Sequence, residues 1–103
     1  MAFSYIYTKT ARNDLFSIIE YISVDLSNSS AAKNLFQKVE KALELICVFP
    51  LSSPEYLGVH VHVEGLRVKA IDNYLLFYRV DETKEIIEII RILFSKQDVV
   101  NII

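Results

Sequence analysis

Three side chains that could move a proton or hold a metal ion alternate along one short stretch, Val59-His60-Val61-His62-Val63-Glu64. In extended backbone successive side chains point to opposite faces, so His60, His62 and Glu64 would point the same way. Such a trio is a conceivable zinc site, and either histidine near Glu55 is a conceivable general base for phosphodiester cleavage. A zinc site also needs a fourth donor and a second shell to orient its histidines, and nothing in the sequence supplies them. The stretch therefore reads as a solvated strand or loop face, and no metal or other cofactor is expected.

A second set of candidates is cationic. Arg67, Lys69, Arg79, Arg91 and Lys96 could contact a nucleic acid, a protein target or an acidic partner. Their ordinary alternative is ion pairing with Glu64, Asp81, Glu82 or Glu88. Arg67 and Lys69 are two residues apart and share a strand face, which makes them the stronger pair for target binding. Arg91, flanked by Ile90 and Ile92, reads as a paired structural arginine. Tyr74 and Tyr78 could stack on bases, although aromatic strand residues are more often core or interface. Cys47, between Ile46 and Val48, reads as packing, since nothing basic beside it in sequence would stabilise a thiolate.

The elements that position these residues follow from hydrophobic spacing. Residues 3–7 are aromatic and β-branched and suit a first strand. Thr8 or Thr10 can cap a helix over residues 11–26, where Leu15, Ile18, Ile19 and Ile22 recur at helical spacing. Asn28-Ser29-Ser30 signals a second helix, over residues 31–48, with Leu35, Val39, Leu43 and Ile46 inward until Pro50 stops it. After the breaker-rich residues 50–65 the period changes to that of strands, over residues 66–71, 73–80 and 85–94. Residues 96–103 form a tail whose Val99, Val100, Ile102 and Ile103 are apolar.

The fold class is thus α+β: an N-terminal strand, then an antiparallel two-helix hairpin on one face of a mostly antiparallel sheet that ends in a three-stranded meander. With 103 residues, one domain spanning 1–103 is expected. The chain is 52% hydrophobic, with two Gly and two Pro, which argues for regular structure and for apolar surface covered by a partner. Its last strand is apolar at both parities, Ile87, Ile89 and Leu93 on one and Ile86, Ile90, Ile92 and Phe94 on the other. A strand with one wet face alternates more cleanly, so the second set is expected to bind a partner. The formal charge of −2 gives no global attraction to nucleic acid. A lone cysteine, no secretory-type N-terminus and no bilayer-length apolar run lead to the expectation of a reduced, cytoplasmic setting.

The ordered segments Thr10-Ala11, Asp14-Leu15, Ile19-Glu20-Tyr21-Ile22, Ala31-Ala32, Phe49-Pro50, Leu66-Arg67, Tyr74-Leu75-Leu76-Phe77-Tyr78-Arg79-Val80 and Ile89-Ile90-Arg91-Ile92-Leu93 resemble the RelE/ParE superfamily of bacterial toxins over nearly the whole chain. The resemblance implies the toxin of a type II toxin-antitoxin (plasmid stabilisation) pair, neutralised by an antitoxin that would cover the Ile86, Ile90, Ile92 and Phe94 surface. It leaves open a homodimer or a heterotetramer with the antitoxin. The RelE-like and YoeB-like branches cut messenger RNA on the ribosome. Their strand arginine falls at Leu75, and the terminal His-Tyr of the YoeB-like branch aligns with Leu93-Phe94. None of these side chains can donate to a phosphate or move a proton. Glu55 lies close to the YoeB-like glutamate, and a nuclease site here would draw on Glu55, His60, His62, Arg67 and Lys69. The segment from Tyr74 to Leu93 is instead similar to the ParE-like branch, which implies inhibition of DNA gyrase by binding. A ribosome-dependent endoribonuclease, or a degenerate toxin serving as an interaction subunit, are the alternatives.

Overall fold

The computed structural model describes residues 3–56 and 65–96. His60, His62, Glu64 and the apolar tail lie outside the described residues. In chain order the elements are β1 (Ser4–Tyr7), α1 (Lys9–Glu20), α2 (Ser29–Val48), β2 (Arg67–Ile71), β3 (Tyr74–Asp81) and β4 (Ile86–Phe94).

Thr8 starts α1. Its hydroxyl oxygen accepts the Ala11 amide at 3.1 Å while its proton goes to the Ile89 carbonyl at 2.9 Å, so one side chain caps the helix and ties it to β4. The expected helix over 11–26 is an α-helix only as far as Glu20; Tyr21–Asp25 widen into a π-type turn. The chain then reverses through Ser27 at φ 49°. Asn28 caps α2 by accepting the Ala31 amide at 3.0 Å, and α2 ends before Pro50, which cannot continue a helix.

The sheet has four strands in the order β1-β4-β3-β2. β2, β3 and β4 form the expected antiparallel meander, and β1 lies parallel to β4 at the edge. Both helices cover one face. Ala11 and Leu15 of α1 and Leu35, Val39, Leu43, Ile46 and Cys47 of α2 pack there on Ile71, Leu76, Tyr78, Ile87, Ile89 and Ile92. Each such fully buried aliphatic side chain contributes roughly 1.5–3 kcal/mol relative to exposure.

Two expectations about β4 need correction. The β3–β4 register slips between Phe77 and Tyr78: Tyr78 faces Ile89, whereas Phe77 faces Arg91, which leaves Ile90 as the extra residue of a bulge. Beyond the bulge the faces exchange. Ile92 joins Ile87 and Ile89 under the helices at 3% exposure, and Leu93 moves to the opposite face. Ile86, Ile90, Ile92 and Phe94 therefore do not line one surface. Nor is the far face bare, because Leu66, Phe77 and Leu93 form a second buried cluster there with Tyr56, Val68, Leu75 and Ile90 packed against it. The Tyr56 ring meets Phe77 edge-on at 5.3 Å.

Among the described residues no helix is long and apolar enough to cross a membrane.

Candidate functional site

Asp14, Ser17 and Ile18 of α1 and Tyr21 at the start of the π-type turn fall at i, i+3, i+4 and i+7 and form one stripe. Facing them are Tyr74 at the start of β3 and Arg91, Ile92, Leu93 and Phe94 at the end of β4, and together these residues line a groove of about 640 Å³. Tyr74 and Phe94 are register partners whose rings meet at 5.8 Å. Burial, and next the neighbouring Tyr21, raise the Tyr74 pKa, which favours the neutral phenol.

The polar end of the groove is an ion pair. Arg91 donates through Nε to Asp14 at 2.7 Å and through a terminal nitrogen at 2.9 Å, and the Ile92 amide donates to the same carboxylate at 3.1 Å. The hydrogen bond to Asp14 outweighs the cost of burial and raises the Arg91 pKa further. β1 pairs with β4 only as far as Ile89, so Asp14 takes over the Ile92 amide, which β1 does not reach.

The remaining candidate cations are placed apart. β2 register sets Arg67, Lys69 and Ile71 on the face that carries the helices, since Ile71 belongs to the helix-side core and Val68 to the far cluster. Arg67 and Lys69 do share a face, as expected, but Arg67 is engaged: it donates to the Ser53 carbonyl at 2.7 Å and lies 3.7 Å from Glu55. Pro54–Tyr56 run beside β2, with the Tyr56 amide on the Leu66 carbonyl and the Val68 amide on the Pro54 carbonyl, so Arg67 fastens this segment to the sheet edge. Arg79 pairs with Glu88 at 2.7 Å across the ladder. Lys69 and Lys96 pair with no described residue. These cations therefore form no single strip.

The positions where the nuclease resemblance would place its chemistry are adjacent. Leu75 lies opposite Leu93 and Tyr74 opposite Phe94. Tyr78 is buried in the helix-side core, its hydroxyl on the Pro50 carbonyl at 3.0 Å, and offers no stacking surface. Cys47 is buried, and burial raises its pKa and keeps it a thiol. No cluster of described residues could hold a metal ion.

Sequence reasoning missed Asp14 as the partner of Arg91, because the two are 77 residues apart. It also missed the α1 wall of the groove. The Asp14, Ile18, Tyr21 spacing was the available signal, hidden beside the more hydrophobic stripe that faces the core.

Two helices on one face of a four-stranded mixed sheet, with an apolar groove between α1 and the sheet's end, define a small α+β domain of the RelE/ParE toxin type. Residues 5–99 match the family model described as the ParE toxin of the type II toxin-antitoxin system, parDE, and the chain belongs to that family. The fold recurs in the chromosomal ParDE system from P. aeruginosa, with a TM-score of 0.70, 20% identity, and 92% of this chain and 98% of that one covered. It recurs in the RelBE2 toxin-antitoxin complex of Mycobacterium tuberculosis, with a TM-score of 0.62, 22% identity, and 91% and 99% covered. A doubly arginine-substituted RelE toxin from E. coli in the free state gives a TM-score of 0.68 at 14% identity, with 98% and 92% covered. No curated protein matches the sequence.

Proposed function

We propose that this chain is the growth-arresting toxin of a plasmid stabilisation pair, that it inhibits DNA gyrase by binding, and that a cognate antitoxin neutralises it. The observation that carries this reading is the Leu75–Leu93 pair. A nuclease has to stabilise a pentacovalent phosphate and move two protons, and a single lost stabilising donor is worth on the order of 2–4 kcal/mol. Leucine supplies neither function at either position. An apolar groove with its one ion pair satisfied internally suits a protein partner, and toxin-antitoxin assemblies among the structural neighbours support an antitoxin as that partner.

The second reading, a ribosome-dependent messenger endoribonuclease, draws on Glu55 and Arg67 facing each other across an antiparallel bridge. The discriminating experiment is supercoiling by purified gyrase beside primer-extension mapping of messages on translating ribosomes, each with and without the protein. Lost supercoiling with uncut messages supports gyrase inhibition. Codon-specific cuts with intact supercoiling overturn it, and silence in both assays assigns the chain to a degenerate toxin acting as an interaction subunit.

A further inference from the structure

β1 is an outer strand of the sheet; at the start of its far edge the Phe3 amide donates to the Cys47 carbonyl at 2.9 Å, and from Ser4 to Tyr7 no described residue pairs with that edge. The groups that face inward identify those that face out. The Ser4 and Thr8 amides donate to the Glu85 and Ile89 carbonyls, each at 3.1 Å. Residues in a strand alternate in the side to which they hydrogen-bond, so Tyr5 and Tyr7 present both N–H and C=O outward. Open edges are ordinarily blunted by charge, proline or a bulge. Phe3-Ser4-Tyr5-Ile6-Tyr7-Thr8 has no charged residue and no proline.

The strand also reads almost the same in both directions about Ile6: a tyrosine on each side, then a hydroxyl residue beyond each. Ile6 itself is 48% exposed. We propose that this edge docks a second copy of the chain, with the two β1 strands antiparallel about a twofold axis at Ile6. The inference stands independently of which target the toxin inhibits.

The register follows from the outward groups. Tyr5 must exchange backbone hydrogen bonds with the partner's Tyr7, and Tyr7 with the partner's Tyr5, because within β1 those two residues carry the outward groups. Ile6 then faces its own copy in the closer, non-hydrogen-bonded kind of pair, where Cα atoms approach to about 4.5 Å. On the opposite face Tyr5 and Tyr7, whose rings already meet edge-on at 5.9 Å, continue as an aromatic row across the junction. A twofold axis at Ile6 sets each β1 residue against its mirror position, and the Tyr-Ile-Tyr pattern puts an uncharged strand residue at each of them, with Glu40 and Glu44 of α2 standing beside Tyr5 on the aromatic face. A second copy sets tyrosine against tyrosine and isoleucine against isoleucine along this edge, the aromatic and β-branched cross-strand pairs that favour self-association. The outcome is one continuous sheet through both copies.

Sedimentation equilibrium of the full chain, with antitoxin absent, tests the proposal. The wild type is expected to dimerise. Ile6→Lys and Ile6→Glu should each weaken the dimer roughly tenfold or more, because like charges then meet at the axis, and an equal mixture of the two should restore it. Both substitutions sit on an exposed side chain, so far-UV circular dichroism should be unchanged. Independently of those variants, Ile6→Cys should oxidise rapidly to a covalent dimer, since the Cα spacing at the axis suits a disulfide, while Ser4→Cys, which would face the partner's Thr8, should not. A chain that stays monomeric at every concentration, a dimer indifferent to Ile6→Lys, or equal cross-linking through residues 4 and 6 overturns the proposal.

Discussion

Leu75 and Leu93 stand opposite one another across the β3–β4 ladder, on the face away from the helices, where Leu93 is buried with Leu66 and Phe77. That setting makes them packing residues, with a consequence for mutagenesis. Leu93→Ala should cost about 2–4 kcal/mol of stability through lost transfer energy and the cavity left behind, and Leu75→Ala less because it is only half-buried. Growth arrest should survive both wherever the protein remains folded. Urea unfolding beside a growth assay reads the two effects, and loss of toxicity by a stably folded Leu75→Ala variant would show that this position acts directly.

Asp14 carries more than an ordinary surface carboxylate, because it accepts from Arg91 twice and from the Ile92 amide. The pair is mostly shielded, with side chains 15% and 23% exposed, whereas Arg79 and Glu88 are 30–49% exposed. Asp14→Ala should therefore cost about 3 kcal/mol by stranding a cation and an amide. Glu88→Ala should cost about 0–1 kcal/mol. Equal losses in chemical denaturation would contradict this ranking.

Both residues of the Asp14–Arg91 pair are visible in the sequence, yet their pairing is not, and the same division holds for the fold as a whole. The change of period after Pro50 separates helices from strands because burial on one face dictates spacing locally. Caps at Thr8 and Asn28 are equally local. Which strand β1 joins is set by a contact some 80 residues away, between Thr8 and the Ile89 and Ile90 carbonyls, and no local pattern encodes it. The bulge opposite Phe77 was hidden for another reason. Ile89, Ile90, Ile92 and Leu93 are apolar at either parity, so the strand's phase could slip without leaving a polar residue in the wrong place. Of the candidate site, the apolar end of β4 was legible, whereas the α1 wall depends on how the helix is rotated against the sheet.

Tyr7 gives a pH prediction. Burial, and then the neighbouring Tyr5 and Glu40, push its pKa up to about 12 from an ordinary value of 10.0. A raised pKa on a neutral acid means that folding favours the protonated form, so this contribution is complete below pH 10 and is lost as pH rises toward 12. Stability should accordingly fall across that interval, and Tyr7→Phe should flatten the fall. Ultraviolet titration of the phenolates should show the Tyr7 variant lacking the highest-pH step. An unchanged titration would place Tyr7 among the freely ionising tyrosines.

The cations sort into held and available groups, and this separates target binding from folding. Arg67, Arg79 and Arg91 each have a carboxylate partner, so replacing them alters the protein before it alters any complex. Lys69 and Lys96 pair with no described residue, and Lys69 extends from the edge strand β2. If gyrase is the target, as proposed, and complementary charge contributes to binding it, reversing such a residue should slow association and weaken inhibition, whereas the free protein loses no internal contact. Lys69→Glu and Lys96→Glu should therefore change unfolding free energy by less than about 0.5 kcal/mol, the range usual for surface substitutions. At least one of them should raise the protein concentration needed to stop supercoiling, by roughly tenfold if a well-placed charge contact worth about 1.4 kcal/mol is lost. Arg67→Met should behave in the opposite way, loosening the segment that holds Ser53 and Glu55 and exposing it to protease. Titrating gyrase with each variant at two salt concentrations adds a further check, since an electrostatic contact weakens as salt rises. Full inhibition by both lysine reversals, with no change in salt dependence, would remove the cations from the target interface and leave the apolar groove as the surface to map.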